Sequence, residues 1–189
     1  MNFAGKVVLI TGASSGIGAA AALNFAKLGA SLSLTGRKLE NLNEVAEKCK
    51  TTSGNLPFVV SGDVTNEQDT EKILNETIKK FGRLDVLVNN AGIIETGTIE
   101  NTSLAQFDRV MNTNIRSIYH LTMLAVPHLI STKGNIVNVS SHRDAIPPAP
   151  TPVYRTFLMN PPLTAKIIPA KPPIAIAPTR GMVLAGSFK

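Results

Sequence analysis

With 189 residues, 43% of them hydrophobic and 17% charged, the chain is long enough for one sizeable core and too apolar for a disordered tract. Its formal charge of +6 is unevenly placed: residues 1–144 carry 14 Lys/Arg against all 13 Asp/Glu, while residues 145–189 carry five cations and no acid. Those five are spread out rather than gathered into a patch, so nucleic-acid binding is not expected. Cys49 is the only cysteine, which excludes an internal disulfide and fits a reducing compartment. The opening MNFAGK runs straight into an apolar strand, without the pattern of a signal peptide. No run approaches the ~20 apolar residues that span a bilayer, so the expected location is the cytoplasm and no membrane partner is expected.

The elements alternate between two periods. KVVLIT (6–11) is a short apolar run ending at a glycine and predicts a buried strand. Residues 16–28 are alanine-rich, with Leu23, Phe25, Ala26 and Leu28 on an apolar side, and predict a helix closed by Gly29. ASLSLTG (30–36) predicts the second strand. Residues 39–50 place Leu39, Leu42, Val45, Ala46 and Cys49 at helical spacing. LPFVVSGDV (56–64) predicts a strand, and 66–82 a helix capped by Asn66 and stopped by Gly82. LDVLVNNAG (84–92) predicts a strand. Residues 103–130 predict one long helix or two abutting ones, kinked at Pro127, and GNIVNVSS (134–141) a fifth strand. Strand–helix alternation with nearly continuous apolar strands implies an α/β fold, a doubly wound parallel sheet covered on both faces.

The grammar changes near residues 142–147. Ten of the twelve prolines lie between 147 and 178, and proline both removes amide donors and breaks helices. The expected organisation is therefore a dinucleotide-binding domain over 1–141 and a proline-rich basic tail, without an ordinary helix, over 142–189. A shifted reading frame or a mis-spliced exon would account for the tail's lost acids and its prolines together. Sequencing the transcript across the codons for 138–150 tests that origin.

Chemistry concentrates where strands end. TGASSGIG (Thr11–Gly18) joins the first strand to the first helix. Glycines let backbone amides approach a pyrophosphate, and a helix N-terminus favours the anion. Gly12, Gly16 and Gly18 are the expected cradle. The second strand ends Thr35–Gly36–Arg37–Lys38, with no acid to hold a ribose 2′-hydroxyl and a cation at once. A guanidinium suits a 2′-phosphate, so Arg37 points to NADP(H) in preference to NAD(H), which stays open. Asp63, after the third strand, is placed either to accept from an adenine amino group, with Val64 flanking the ring, or to cap the next helix. NNAG (Asn89–Gly92) offers small residues under which a cofactor can lie close. No metal site is expected: His120, His128 and His142 lack ligand spacing with Cys49. Ser140, Ser141 and His142 lack the G-x-S-x-G elbow of a hydrolase.

TGASSGIG, Asp63–Val64, NNAG, Asn114 in MNTNIRS and VSS (139–141) together resemble the short-chain dehydrogenase/reductase family, over residues 1 to about 141. The resemblance implies a Rossmann-type fold, a nicotinamide cofactor, and hydride transfer between a carbonyl and a secondary alcohol. It implies cofactor contacts at Thr11, Gly12, Ser14, Ser15, Gly16, Ile17, Gly18, Asp63, Val64, Asn90, Ala91 and Gly92, beside Arg37. The family's catalytic set is Asn, Ser, Tyr and Lys. Asn114 matches the first, anchoring a water relay, and Ser141 the second, orienting the substrate oxygen. Tyr154, thirteen residues after Ser141, falls where the family's acid/base tyrosine lies. Four residues further the family has lysine and this chain has Leu158. A phenol with a reference pKa of about 10 needs a nearby cation to work near neutrality, and leucine supplies none. Tyr154 is thus either a working acid or a positional remnant. The alternative to a working oxidoreductase is a catalytically impaired or inactive cofactor-binding remnant. The family also implies pairing through the 103–130 helix and the helix after it. That second helix falls where this sequence departs, which weakens the expectation of a homo-oligomer without excluding one, and the C-terminal elements of the fold are expected to be incomplete.

Overall fold

The computed structural model of the chain describes residues 2–140 and the backbone of residues 168–169. In chain order the elements are β1 (Val7–Thr11), α1 (Gly16–Lys27), β2 (Ser31–Gly36), α2 (Leu39–Ser53), β3 (Phe58–Ser61) and α3 (Glu67–Phe81). They continue with β4 (Val86–Asn89), α4 (Leu104–Met111), a π-helical turn (Asn112–Arg116), α5 (Ser117–Thr132), β5 (Asn135–Asn138) and β6 (Ile168–Pro169). The sheet order is β3-β2-β1-β4-β5-β6. β1 to β5 run parallel, and the two-residue β6 lies antiparallel beside β5. The chain winds outward from β1 to β3, then crosses back to lay β4 on the other side of β1. Such a reversal opens a crevice beyond the carboxyl ends of the two central strands.

All five residues of β1 are buried, as a parallel sheet covered on both faces requires. Alternation divides them between two cores. Val8 and Ile10 join Leu32, Leu34, Val86 and Val88 beneath α1 and α2. Val7 and Leu9 join Val60, Ile73, Leu87 and Leu121 beneath α3 and α5. The α2 stripe buries Leu42, Val45, Ala46 and Cys49, whereas Leu39, at the first turn, is half exposed. Truncating any of the fully buried leucines to alanine costs about 2–5 kcal/mol by the usual transfer and cavity effects. The α3 layer includes one polar cross-link, Ser33 Oγ to Thr77 Oγ1 at 2.7 Å, which keeps both buried hydroxyls satisfied.

The predicted α/β alternation holds throughout, but several boundaries move. Asn66 caps α3 by accepting from Asp69 N–H at 3.0 Å, and Gly82 ends it at φ 71°. The strands expected over 56–64, 84–92 and 134–141 shorten to Phe58–Ser61, Val86–Asn89 and Asn135–Asn138. Each gives up ladder residues at its ends, and after Asn89 the chain bonds to the end of β1 instead. The 103–130 prediction resolves into two helices, but their junction is the wide turn at Asn112–Arg116 rather than Pro127, which lies inside α5. Ser103 and Gln106 form a reciprocal capping box that starts α4. At the wide turn Ser117 Oγ donates to Thr113 O at 2.6 Å, satisfying a carbonyl there.

At the amino end of the sheet, away from the crevice, Asp85 is buried and fully partnered. Arg83 donates to it from Nε at 2.8 Å and Nη2 at 2.7 Å, Val7 N–H at 2.9 Å, and Lys6 Nζ at 3.1 Å. Burial is the largest single influence and pushes the carboxyl up. The bonds from Arg83, Val7 N–H and Lys6 together outweigh it and hold the group below its ordinary value.

Candidate functional site

The crevice is built by the β1–α1 loop and the residues after β4. Thr11, the last residue of β1, is buried, and its hydroxyl accepts from the backbone N–H of Asn90 and of Ala91, each at 3.0 Å. The Asn90 side chain returns the contact, donating from Nδ2 to Thr11 O at 2.9 Å and Gly12 O at 3.2 Å. These bonds tie the first loop to the fourth strand, which their 79-residue separation in sequence does not reveal.

The three expected glycines serve different ends. A Cβ on Gly12 would lie 2.8 Å from Ala91 Cα, and one on Gly18 would lie 2.3 Å from Gly12 O and 2.5 Å from Asn90 Nδ2. Both are required by close packing of backbone on backbone. Gly16 shares a left-handed backbone with Gly12, at φ +55° and +63°, but differs in its surroundings: a Cβ there would meet nothing within 4 Å among the described residues. It opens α1, whose N-cap Ser15 makes no side-chain cap and whose first turn contains no acid. The amino end of α1 therefore presents free N–H groups to open space, the arrangement that suits a phosphate. Ser15 and Ile17 lie on the exposed rim, Ile17 at 63%. Ser14 lies against β2, its Oγ 3.4 Å from where a Cβ on Gly36 would sit.

Arg37 and Lys38 are exposed just beyond β2, and Arg37 forms no ion pair among the described residues. Asp63 does not cap α3, since Asn66 does. One carboxylate oxygen accepts from Thr65 N–H at 2.9 Å and Thr65 Oγ1 at 2.8 Å, closing the turn that follows β3. Its other oxygen has no bond among the described residues. Val64 is partly exposed beside it, with its carbonyl held by Thr70 Oγ1 at 3.3 Å.

Asn114 sits in the wide turn. Its Oδ1 accepts from Ile93 N–H at 2.9 Å, and its Nδ2 donates to Ile93 O at 2.8 Å. A Cβ on Gly92 would lie 3.4 Å from that Oδ1. π-turns are rare and frequently functional, and this one brings Asn114 to the segment after NNAG. The structure thus gathers Thr11–Gly18, Asn90–Gly92 and Asn114 into one region, with Arg37 and Asp63–Val64 at the ends of the neighbouring strands. Ser141 and Tyr154 lie outside the described residues, as do Leu158 and the rest of the tail. No cluster of metal-ligating side chains is present among the described residues.

Two residues outside the expected contacts also lie in this region. Asn89 is buried and donates from Nδ2 to Thr122 Oγ1 at 3.2 Å and Asn138 Oδ1 at 2.9 Å, joining β4 to α5 and β5. Glu95, beyond Ile93, takes two bonds from Arg109 of α4, at 2.8 and 3.0 Å. The first Asn of NNAG was a signal for Asn89. Nothing in the pattern marks the pairing of Glu95 with Arg109.

A doubly wound parallel sheet with a glycine-lined, uncapped helix end at its switch point is a Rossmann-type α/β architecture. The sequence matches the short chain dehydrogenase family over residues 6–156, a stretch that runs beyond Ser141 and takes in Tyr154. Among similar proteins, an 11-beta-hydroxysteroid dehydrogenase-like protein 2 of Arabidopsis thaliana is 42% identical over 154 residues, covering 81% of this chain and 50% of the relative. The apo glucose dehydrogenase of Caenorhabditis elegans superposes at a TM-score of 0.67 with 44% identity, over 75% of this chain and 56% of its own. The L-sorbose reductase of Gluconobacter frateurii, solved with NADPH and L-sorbose, superposes at 0.72 with 32% identity, over 75% and 54%. The chain belongs to the short-chain dehydrogenase family, a family of NAD(P)-binding oxidoreductases, and spans about half the length of the relatives it matches. Among the described residues no helix is long and apolar enough to cross a membrane.

Proposed function

We propose that the chain binds NADP(H) and serves hydride transfer between that cofactor and a small-molecule carbonyl or secondary alcohol. The observation that carries the proposal is Gly16: left-handed, unobstructed, and at the start of a helix with neither a side-chain cap nor an acid in its first turn. The free N–H groups of that turn hold the pyrophosphate, with Gly12 and Gly18 letting the loop sit low against Asn90 and Ala91. Arg37, exposed and without a carboxylate partner among the described residues, would hold the 2′-phosphate, and the Asp63 oxygen that has no bond among those residues would accept from the adenine amino group, with Val64 flanking the ring. The bound nicotinamide would supply or accept the hydride. Asn90–Gly92 and Asn114 shape the floor for that end of the ligand. Ser141 donates a hydrogen bond to the substrate oxygen, and Tyr154 gives that oxygen a proton in reduction or takes it in oxidation. The glucose dehydrogenase, the L-sorbose reductase and the 11-beta-hydroxysteroid dehydrogenase-like relative together support an alcohol or carbonyl substrate without narrowing it further.

A second reading, cofactor binding without turnover, is carried by Leu158 at the place of the family's lysine. One experiment separates the two. Purified chain is titrated with NADPH and with NADH, then assayed for NADPH oxidation against a panel of ketones and ketoses. Binding of NADPH ahead of NADH with turnover supports the first reading. Binding without turnover supports the second. Folded protein that binds neither nucleotide sinks both.

A further inference from the structure

The chain from Ala91 to Thr98 contains no helix or strand, yet it is held at two points. Asn114 takes both backbone polar groups of Ile93, at 2.9 and 2.8 Å. Two residues on, Glu95 receives a two-pronged guanidinium from Arg109, Nε to Oε1 at 2.8 Å and Nη2 to Oε2 at 3.0 Å. Gln106, which completes the α4 capping box, lies beside the same carboxylate. Between the two anchors stands Ile94, a large aliphatic side chain that is 71% exposed. Single-point surface ion pairs hold little, but a bidentate fork is the geometry in which they do hold. This one does not brace the core, because α4 buries no residue. Its effect falls on the irregular segment, which begins at Ala91 against the glycine loop.

We propose that Arg109 is a positioning residue: through Glu95, and opposite the Asn114 clamp on Ile93, it holds the segment that follows Asn90–Gly92 in place at the nicotinamide end of the cofactor site. The proposal rests on the cofactor site described above. The phosphate and adenosine contacts there run through Gly12–Gly18, Arg37 and Asp63, none of which bonds to Arg109. The latch therefore acts on one end of the ligand only.

The test is calorimetric titration of the full chain with NADPH and with 2′-phosphoadenosine diphosphoribose, which lacks the nicotinamide. Arg109→Met should weaken NADPH about fivefold. It should leave the truncated ligand unchanged to within about twofold, a split that general loosening of the fold does not produce. Reversing the charges together, Glu95→Arg with Arg109→Glu, should recover most of the NADPH affinity. Equal weakening of both ligands, unchanged NADPH affinity in Arg109→Met, or a double variant no better than the single one overturns the proposal. Wild-type protein that binds neither ligand removes the cofactor site itself, and does so before any variant is compared.

Discussion

Gly16→Ala separates binding from folding. The residue sits at φ +55°, and an added Cβ meets no atom within 4 Å among the described residues. The cost to the fold is then only the left-handed strain of an L-residue, about 1–2 kcal/mol. In a chain of this size that lowers the melting temperature by roughly 2–4 °C per kcal/mol. The methyl group nevertheless projects into the space over the uncapped start of α1. Losing two charge-assisted bonds to a phosphate, at about 1.5–3 kcal/mol each, weakens the nucleotide a hundredfold or more. Gly18→Ala is the contrast. Its Cβ would lie 2.3 Å from Gly12 O and 2.5 Å from Asn90 Nδ2, so the loop and strand must part, at about 3 kcal/mol or more. Direct NADPH fluorescence reads binding, and thermal melting reads folding. Gly16→Ala should lose binding with a near-native melt, and Gly18→Ala should lose both. A Gly16→Ala protein that binds NADPH like the wild type would refute the assignment of that space to phosphate.

Arg37→Ala should weaken NADPH by about 10–100-fold and change NADH little, since only the 2′-phosphate is lost as a partner; titration with both nucleotides checks it. Asn90→Ala removes two bonds to the carbonyls of Thr11 and Gly12 and should cost about 1–3 kcal/mol in urea unfolding. Asp85 is held below its ordinary value, so its contribution is present above the unfolded carboxyl range near pH 4 and lost as pH falls through the lower folded value. Asp85→Asn should therefore melt lower than the wild type at pH 7, and the gap should close on acidification; a gap constant down to pH 2 contradicts the bonding described. Burial pushes the Cys49 thiol up and shields it. A disulfide reagent should label native protein only as fast as the α2 layer opens, and labelling at the rate of a free peptide thiol would show that the layer is not closed.

The strand–helix alternation was legible because buried parallel strands are short apolar runs and their helices carry 3.6-residue stripes. Leu42, Val45, Ala46 and Cys49 fall where the stripe puts them, and Asn66 and Gly82 punctuate α3 as their chemistry suggests. TGASSGIG also marked a tight glycine turn between β1 and α1, and the structure places one there. Element ends were less legible. The strand written through NNAG stops at Asn89, because the next two amides bond to Thr11 rather than to a neighbouring ladder. The helix expected to bend at Pro127 instead widens at Asn112–Arg116, where no proline or glycine marks it.

Local sequence thus determined which segments are strands or helices and that glycines must line the first turn, since backbone propensity and side-chain period act over a few residues. Only the tertiary structure decided what surrounds each glycine: Gly12 packs on Ala91, Gly18 on Gly12 O and the Asn90 side chain, and Gly16 meets no atom within 4 Å among the described residues. It also decided that Asn114 clamps Ile93, that Arg109 reaches Glu95, and that Asp85 lies buried between Arg83 and Lys6. Such pairings depend on which elements the winding of the sheet brings side by side, and no period or motif in the chain encodes that distance.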